Sequence, residues 1–372
     1  MSERLVTLFL CGDVMTGRGI DQILPHPGDP TLYEGYIRDA RDYVRLAEEV
    51  NGPVARPVDF AYIWGDALNE LRRVIPDARI INLETAVTAS NGYWPKGINY
   101  RMHPANVPCL TAAGIDCCVL ANNHVLDWNY AGLEETLATL TKAGVKTAGA
   151  GGNLDKARTP AVVEVSGGGR VVVFSFGTES SGIGRDWGAT ADRPGVNLLP
   201  DFTDATVRNI AEQIARVRQV GDIVIASMHW GGNWGYEIDR DQREFAHALI
   251  DVAGVHVVHG HSSHHVKGIE VYKDHPVLYG CGDFLTDYEG ISGHEAYRDD
   301  LGLMYFPVLD PASGHLLRLE MTPTRLRNLR VNLASRGEAH WLADVLNREG
   351  RSLGTNVTFD GNNRLVLHWR GS

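Results

Sequence analysis

The sequence predicts a protein of the α/β class. Short apolar runs rich in Val, Ile and Leu alternate with amphipathic helical patterns along most of the chain. A β-rich stretch then follows, and this order is typical of helices layered on β-sheets. The length of 372 residues permits one large domain or two ordinary ones, with a sizeable core in either case.

Strands and helices are predicted in turn over the first part of the chain. Runs of four to eight apolar residues indicate strands, and apolar residues spaced by three and four indicate helices. In order, the elements are a strand at 4–13, a helix at 60–75, a strand at 78–84, a short helix at 106–114, a strand at 115–123 and a helix at 131–144.

The middle of the chain continues this alternation. A Gly-rich turn at Gly167 to Gly169 joins two predicted strands as a hairpin. Thr203 or Asp204 is expected to cap the next helix. The elements are strands at 159–165 and 169–177, a helix at 203–221, a strand at 222–231, a helix at 240–254, a strand at 255–260 and antiparallel strands between 267 and 331.

We predict a main domain of residues 1–330 and a small appended segment of residues 331–372. An insert at about 25–58 interrupts the first crossover with Pro-rich and helical sequence. It carries Arg38, Arg41 and Arg45. These arginines fit either a surface helix balanced by nearby acidic residues or a lid that presents cations to an anionic substrate.

The charge balance argues against nucleic acid as a partner. The net charge is −11 and there is no block of Lys and Arg, so a nucleic-acid partner is not expected. The sequence shows neither a signal-peptide pattern nor an apolar run of membrane-spanning length, which predicts a cytoplasmic protein without a membrane anchor. The five cysteines lack C-x-x-C spacing and are interpreted as reduced, buried thiols.

Polar side chains gather where predicted strands end. The stretch 256–265 alone holds five histidines. In open α/β sheets ligands bind at the carboxyl ends of strands, so these side chains are expected at one edge. The candidates are Asp13, Glu84, Asn123, His124, His229, His261 and His264.

This donor set predicts a metal site. Carboxylate, amide and imidazole donors without thiolate suit divalent transition metals such as Mn, Fe or Zn. A carboxylate between the histidine-bearing halves could bridge two ions, and such pairs hold a hydroxide and clamp the oxygens of a displacement at phosphorus.

Several motifs together resemble the poly-γ-glutamate capsule synthesis protein CapA family, a branch of the calcineurin-like metallophosphoesterases. The motifs are GDVMTGR, NLE, LANNHVLDW, HWG and GHSSHHVKGIEVY, and the resemblance spans roughly residues 5 to 310. It implies a four-layer α/β/β/α sandwich of the metallophosphoesterase type with a dinuclear site at its rim.

The resemblance also implies roles for individual residues. Asp13 matches the first metal ligand, Glu84 the bridging carboxylate and Asn123 the amide ligand. His124 matches the histidine that faces substrate, so we assign it, with Asp13, to catalysis. The late ligands match His229, His261 and His264. Met15 stands where the wider superfamily has a histidine, and the last motif is His-x-x-His rather than His-x-His.

Further residues near these motifs have two interpretations each. Arg18, Lys96 and Arg101 could hold an anionic substrate or be surface charges. Asp283 could orient a ligand histidine or end a strand in a turn. Asp127 is predicted to be a helix N-cap rather than a partner of His124.

The remaining histidines of 256–265 are predicted to have no ligand role. His256 and His259 are interpreted as packing or supporting residues, and His265 as solvent-facing.

The first hypothesis for function is a metal-dependent hydrolase. It would act on a phosphate ester or related anionic substrate through metal-activated hydroxide, with Glu84 bridging the ions and His124 serving the leaving oxygen. The alternatives are a capsule-synthesis component that binds polymer or partners with a vestigial site, and a hydrolase of γ-glutamyl amides.

Overall fold

The computed structural model describes residues 5–166 and 169–370 and has a mixed α/β architecture with two large mixed sheets. The predicted α/β class is therefore confirmed. Gly167 and Gly168 of the predicted hairpin turn lie outside the described residues, but the two strands that the turn joins pair antiparallel as expected.

The described residues contain twenty strands. They are β1 (Val6–Val14), β2 (Ala78–Leu83), β3 (Ala86–Val87), β4 (Arg101–Met102), β5 (Cys117–Val119), β6 (Lys146–Ala148), β7 (Ala150–Gly151), β8 (Ala161–Glu164), β9 (Arg170–Gly177), β10 (Gly195–Val196), β11 (Ile223–His229), β12 (Val257–His261), β13 (Ile269–Tyr272), β14 (His275–Leu278), β15 (Asp283–Leu285), β16 (Leu301–Leu309), β17 (Leu316–Leu326), β18 (Val331–Leu333), β19 (Thr355–Phe359) and β20 (Leu365–Trp369).

The same residues contain nine α-helices. They are α1 (Arg18–Ile23), α2 (Arg41–Asn51), α3 (Ala67–Val74), α4 (Pro108–Ala112), α5 (Asn129–Lys142), α6 (Leu154–Arg158), α7 (Asp204–Ala215), α8 (Arg240–Asp251) and α9 (Arg336–Gly350). Within the described ranges none of these helices has the length and apolar character needed to cross a membrane.

The larger sheet has ten strands. Its main path runs β19-β20-β17-β16-β1-β2-β5-β6, with β15 added on β1 and β18 on β17. The strands β1, β2, β5 and β6 are parallel, whereas β16, β17, β20 and β19 are antiparallel. The parallel half is the part predicted from the strand and helix alternation.

The second sheet has six strands in the order β13-β14-β12-β11-β9-β8. Its four central strands are parallel, and both edge strands are antiparallel to their neighbours. The carboxyl ends of β11 and β12 thus lie side by side.

Successive residues of β1 point into different parts of the core. Leu8 and Leu10 belong to a buried cluster that includes Val173 and Ile225 of the second sheet, so this cluster joins the two sheets. Phe9, between them in sequence, belongs to another cluster, shared with the helices α3 and α5. This alternation follows from the two-residue period of a strand.

The second sheet has its own helical cover. Phe174 and Ala226 are buried with Ile210 of α7 and Leu249 of α8 in a third cluster. Each large sheet is therefore packed on helices and also shares a core with the other sheet.

The helix predicted at 60–75 is interrupted. A 3-10 turn at Tyr62–Trp64 is separated from α3 by Gly65, whose φ is +45°. A Cβ at Gly65 would lie 2.2 Å from the carbonyl oxygen of Val331, so this close approach of two backbones ends the first turn. The break depends on a contact with a residue far along the chain.

The segment 331–372, as far as it is described, continues the larger sheet. β18 and β20 both pair with β17. Leu342 of α9 and Leu365 of β20 are buried in the core that joins the two sheets. The strand β19, which we did not predict, pairs with β20 at the sheet edge.

The insert at 25–58 contains α2, whose Tyr43 and Val44 are buried. Its arginines Arg41 and Arg45 form ion pairs with Asp39 and Asp42. These contacts agree with the surface-helix interpretation of the insert.

Candidate functional site

The predicted candidates follow neighbouring strands at one edge of each sheet. Asp13 lies near the end of β1, in register with Asn82 of β2. His229 and His261 end β11 and β12 and are register partners. Since the core between the sheets brings both edges together, residues about 250 positions apart in the chain meet there.

Three of the predicted ligands form a compact group. Asp13, His229 and His261 are buried, and each offers a donor atom within 4.8 Å of those of the other two. The Nδ1 atoms of His229 and His261 are 2.7 Å apart. The Nδ1 atom of His261 lies 3.9 Å from Oδ1 of Asp13.

Glu84 and Asn123 border this group on the side of His229. The Nε2 atom of His229 lies 3.1 Å from Oδ1 of Asn123 and 3.8 Å from Oε1 of Glu84. The same Glu84 oxygen is 3.9 Å from Nε2 of His124. Five residues assigned from sequence as metal ligands are thus connected through His229.

A chain of hydrogen bonds fixes the protons of the two central imidazoles. The carbonyl of Cys11 can only accept, so His259 donates to it from Nε2 at 2.8 Å. Nδ1 of neutral His259 then accepts from the Ser227 hydroxyl at 3.1 Å.

The chain continues through Ser227. Its oxygen accepts from Nε2 of His261 at 2.8 Å, which leaves a lone pair on Nδ1 of His261. His229 then donates from Nδ1, so its Nε2 and Asn123 Oδ1 face each other with lone pairs, a contact that a cation between them would stabilise. His259 is therefore a supporting residue, as predicted, and Ser227 is a contributor that the sequence reasoning missed.

Burial disfavours the charged form of the histidines of the group. Burial lowers the pKa values of His229 and His261 well below the ordinary value, and the neighbouring imidazoles lower them further. Burial also lowers the pKa of His259 to about 4. Neutral imidazole is the form that binds metals.

Burial raises the pKa values of the two carboxyl groups of the site, Asp13 and Glu84. Burial raises the pKa of Asp13 to about 7, and Asp283 adds to the rise. Burial followed by Asp13 raises the pKa of Glu84 well above its ordinary value. Asp13 does receive hydrogen bonds from Asn82 Nδ2 at 2.7 Å and from the Ser262 amide at 3.2 Å. A bound cation would stabilise the ionised form of these buried acids, because the neighbouring imidazoles carry no charge that could do so.

His264 lies outside the three-residue group. Its Nδ1 is 3.0 Å from both carboxyl oxygens of Asp283, and its ring contacts Trp234 at a centroid distance of 5.3 Å. Of the two interpretations of Asp283, the structure has the one in which this carboxyl orients a histidine. Burial raises the pKa of Asp283 to about 6, against the opposing effect of His264.

The prediction that Asp127 is an N-cap was wrong. The N-cap of α5 is Trp128, and it makes no side-chain cap hydrogen bond. Asp127 is instead buried, with Oδ2 at 2.7 Å from Nδ1 of His124. Burial lowers the pKa of His124 to about 4, although Asp127 opposes the shift.

The three predicted substrate-binding cations lie in different surroundings. Arg18 is buried, and its guanidinium binds Asp287 at 2.5 Å and Glu34 at 2.8 Å. Arg101 donates to the carbonyls of Ser90 and Asp29 and lies over the Trp128 ring. The guanidinium groups of Arg18 and Arg101 are thus paired with other residues of the protein. Lys96 instead lies beside a candidate catalytic residue, with its Nζ 3.4 Å from Nδ1 of His124.

Two further positions that the sequence analysis discussed are buried. His265, expected to face solvent, is fully buried, and its ring packs against Tyr236 and Tyr297. Met15, in place of the superfamily histidine, is also buried, with its Sδ 3.5 Å from the Tyr288 hydroxyl. Asn82 was not singled out from sequence, although a polar residue inside the apolar run of β2 was an available signal.

Known proteins provide an independent comparison. The sequence model of the family described as bacterial capsule synthesis protein PGA_cap matches residues 7–288. A probable polyglutamine synthesis accessory protein of Mycobacterium tuberculosis is 50% identical over 365 residues, which cover 98% of this chain and 96% of the relative.

Two relatives from Bacillus are more distant. The PGA biosynthesis protein CapA of Bacillus subtilis is 26% identical over 87% of this chain and 72% of its own length. The capsule biosynthesis protein CapA of Bacillus anthracis is 25% identical over 77% of this chain and 61% of its own length.

Proposed function

Since the chain belongs to the bacterial capsule synthesis protein family PGA_cap, we propose that it is a metal-dependent hydrolase of an anionic substrate. A phosphate ester is the substrate class that we favour. The observation that carries the proposal is the grouping of Asp13, His229 and His261 within 4.8 Å.

The donor set fits divalent transition metals. Oxygen and nitrogen donors without thiolate are typical of Mn, Fe and Zn sites that perform hydrolysis. Asp13, His229 and His261 would hold an ion, and Glu84, Asn123 and His264 would complete the ligands for two. Two bound ions would supply the positive charge and the acidified water that displacement at phosphorus requires.

The protein's own residues orient this chemistry. Asn82 and the Ser262 amide fix both oxygens of Asp13. Ser227 and His259 fix the ring of His261. His124 has Nε2 at 3.9 Å from Oε1 of Glu84, where this nitrogen can take up a proton and pass it to a leaving oxygen. Positioning and electrostatic stabilisation are most of what phosphoryl transfer demands of a protein.

The proposed fold is the α/β/β/α sandwich of the metallophosphoesterases. Its support is the set of three cores, of which one joins the two sheets and the others join each sheet to helices. In such an arrangement the loops after the strand ends form the rim where a substrate would bind.

A second candidate keeps the same site and changes the bond. The Mycobacterium tuberculosis and Bacillus subtilis relatives are named for polyglutamine synthesis and PGA biosynthesis. This favours a γ-glutamyl amide, or poly-γ-glutamate itself, as the anionic substrate. A polymer-binding role with a vestigial site is the alternative in which no turnover occurs.

Metal analysis followed by an activity panel tests the proposal. Protein purified without chelator should contain transition metal, and with added Mn²⁺ it should hydrolyse a member of a phosphoester panel. Poly-γ-glutamate and γ-glutamyl amides belong in the same panel to identify the second candidate. Metal-free protein that gains neither metal nor activity on adding Mn²⁺, Fe²⁺ or Zn²⁺ would overturn the proposal.

A further inference from the structure

We infer that residues 94–100 position His124 through Asp127, and that Lys96 is a positioning residue of this segment rather than a substrate ligand. The catalytic part of this inference rests on the proposed function. The geometric part, the proton position on His124, does not depend on it.

Asp127 is held by the segment from two sides. Its carboxyl accepts from the Tyr100 amide at 2.6 Å through Oδ2, and its Oδ1 lies 2.8 Å from Lys96 Nζ in an ion pair. Its carbonyl accepts from the Trp94 amide at 2.7 Å and from Asn99 Nδ2 at 3.1 Å. A fully buried carboxylate needs such donors, because an unpaired buried charge is strongly destabilising. The segment 94–100 therefore fixes where Asp127 lies.

The position of Asp127 selects one tautomer of His124. Nδ1 of His124 is 2.7 Å from Asp127 Oδ2 but 3.4 Å from Lys96 Nζ. A ring nitrogen that carries a hydrogen atom donates to the carboxylate, whereas a ring nitrogen without hydrogen accepts from the ammonium. Nδ1 can therefore make only one of these two hydrogen bonds. The shorter contact places the hydrogen on Nδ1 and leaves the Nε2 lone pair facing Glu84.

The ring of His124 is also held in its plane. The ring of Tyr100, from the same segment, meets it edge-on at a centroid distance of 4.3 Å and an angle of 83°. Backbone and side chain of Tyr100 thus act on Asp127 and His124 together.

Lys96 has further contacts within the protein. Besides Asp127, its Nζ donates to the carbonyl of Asn123 and lies 5.0 Å from the centre of the Trp187 ring. The side chain is 23% exposed. Its charge balances the buried Asp127 carboxylate, so a substrate anion would have to compete with an existing ion pair.

Aromatic contacts anchor the segment and its neighbours. Trp94 packs edge-on against Trp187 at 5.6 Å. Tyr93, which precedes the segment, stacks on Tyr33 of the insert at 3.7 Å. The insert at 25–58 is thereby connected to the residues that hold His124.

The first experiment measures the tautomer in metal-free full-length protein. Ring ¹⁵N shifts of His124, assigned by comparison with His124→Gln, should indicate hydrogen on Nδ1 in the parent. Asp127→Asn should shift the population toward hydrogen on Nε2, because an amide group can donate to Nδ1. A parent with hydrogen on Nε2 would overturn the inference whether or not any activity is found.

The second experiment separates positioning from substrate binding by Lys96. With a substrate that the parent protein hydrolyses, Lys96→Met should lower kcat by about 10–100-fold, as loss of a supporting contact does. Its KM and metal content should stay unchanged. Lys96→Arg should restore part of the rate, and Lys142→Met, at an exposed lysine of α5, is the matched control. A raised KM with unchanged kcat in Lys96→Met would make Lys96 a substrate ligand and overturn this part.

Discussion

The Nδ1 atoms of His229 and His261 are 2.7 Å apart, so the two imidazoles share one hydrogen bond. Both rings are buried and neutral, and each ends a parallel strand in register with the other. The pair is therefore a single unit, and neither ring can be removed without releasing its partner.

The first prediction uses this coupling. If an ion held by both histidines replaces the hydrogen bond between their rings, His229→Ala and His261→Ala should each lose most of the bound metal, and the double variant should lose little more. Metal content by plasma mass spectrometry after gel filtration measures this. The control is His315→Ala, since His315 is an exposed histidine that contacts His275 rather than the site. Two independent, additive losses would argue against a shared ion.

The second prediction distinguishes two adjacent residues. Asn123→Ala should weaken metal binding, because its side-chain oxygen lies beside Nε2 of His229. His124→Ala should keep the metal and lose about 10²–10⁴-fold in kcat, because proton transfer has that typical size. Titration of metal into metal-free protein and steady-state kinetics separate the two effects. Equal loss of metal in both variants would make His124 a ligand instead.

The third prediction concerns Arg18. Its guanidinium joins Asp287 and Glu34 and lies over the Tyr43 ring, all in the interior. Arg18→Met should destabilise the fold by about 3–5 kcal/mol, since two carboxyls would remain buried without their partner.

Urea unfolding of Arg18→Met, with Arg41→Met as an exposed control, measures the change in the free energy of unfolding. If Arg18→Met were as stable as the parent but raised KM, the expectation that Arg18 binds substrate would hold after all.

The fourth prediction concerns pH and the end of the chain. Arg364, which precedes β20, donates a hydrogen bond of 3.0 Å to each carboxyl oxygen of Glu70 in α3. Arg73 and the hydroxyl of Thr322 also donate to Glu70. Burial alone would raise the Glu70 pKa, but the hydrogen bonds from Arg364 and Arg73 outweigh it and hold the pKa below 4.5. A lowered folded-state pKa contributes stability above the unfolded-state value, and this contribution is lost as the pH falls through the folded-state value.

Glu70→Gln should therefore be less stable than the parent near neutral pH, and the difference should shrink as the pH falls below the ordinary value of 4.5. Thermal or urea unfolding across this range gives the difference directly. The exposed Glu212→Gln on α7 is the control. A difference that stays constant with pH would mean that the ion pairs with Arg73 and Arg364 add nothing to stability.

Local sequence patterns were enough to predict the order of most elements and the positions where strands end. Hydrophobic periodicity is local, so it defines β1, β11 and β12 without knowledge of their neighbours. Because parallel strands place their carboxyl ends on one edge, Asp13, His229 and His261 could be assigned to a common site before any contact was seen.

Tertiary structure alone decided which polar residues are free and which are already paired. Arg18 is bound by Asp287, which is 269 positions away, and His259 by the carbonyl of Cys11, which is 248 positions away. Such partners meet only when the two sheets pack together, and no local pattern records that packing. Asp127 shows the same limit at short range: the sequence allows it to cap α5 or to hold His124, and burial against residues 94–100 selects the second.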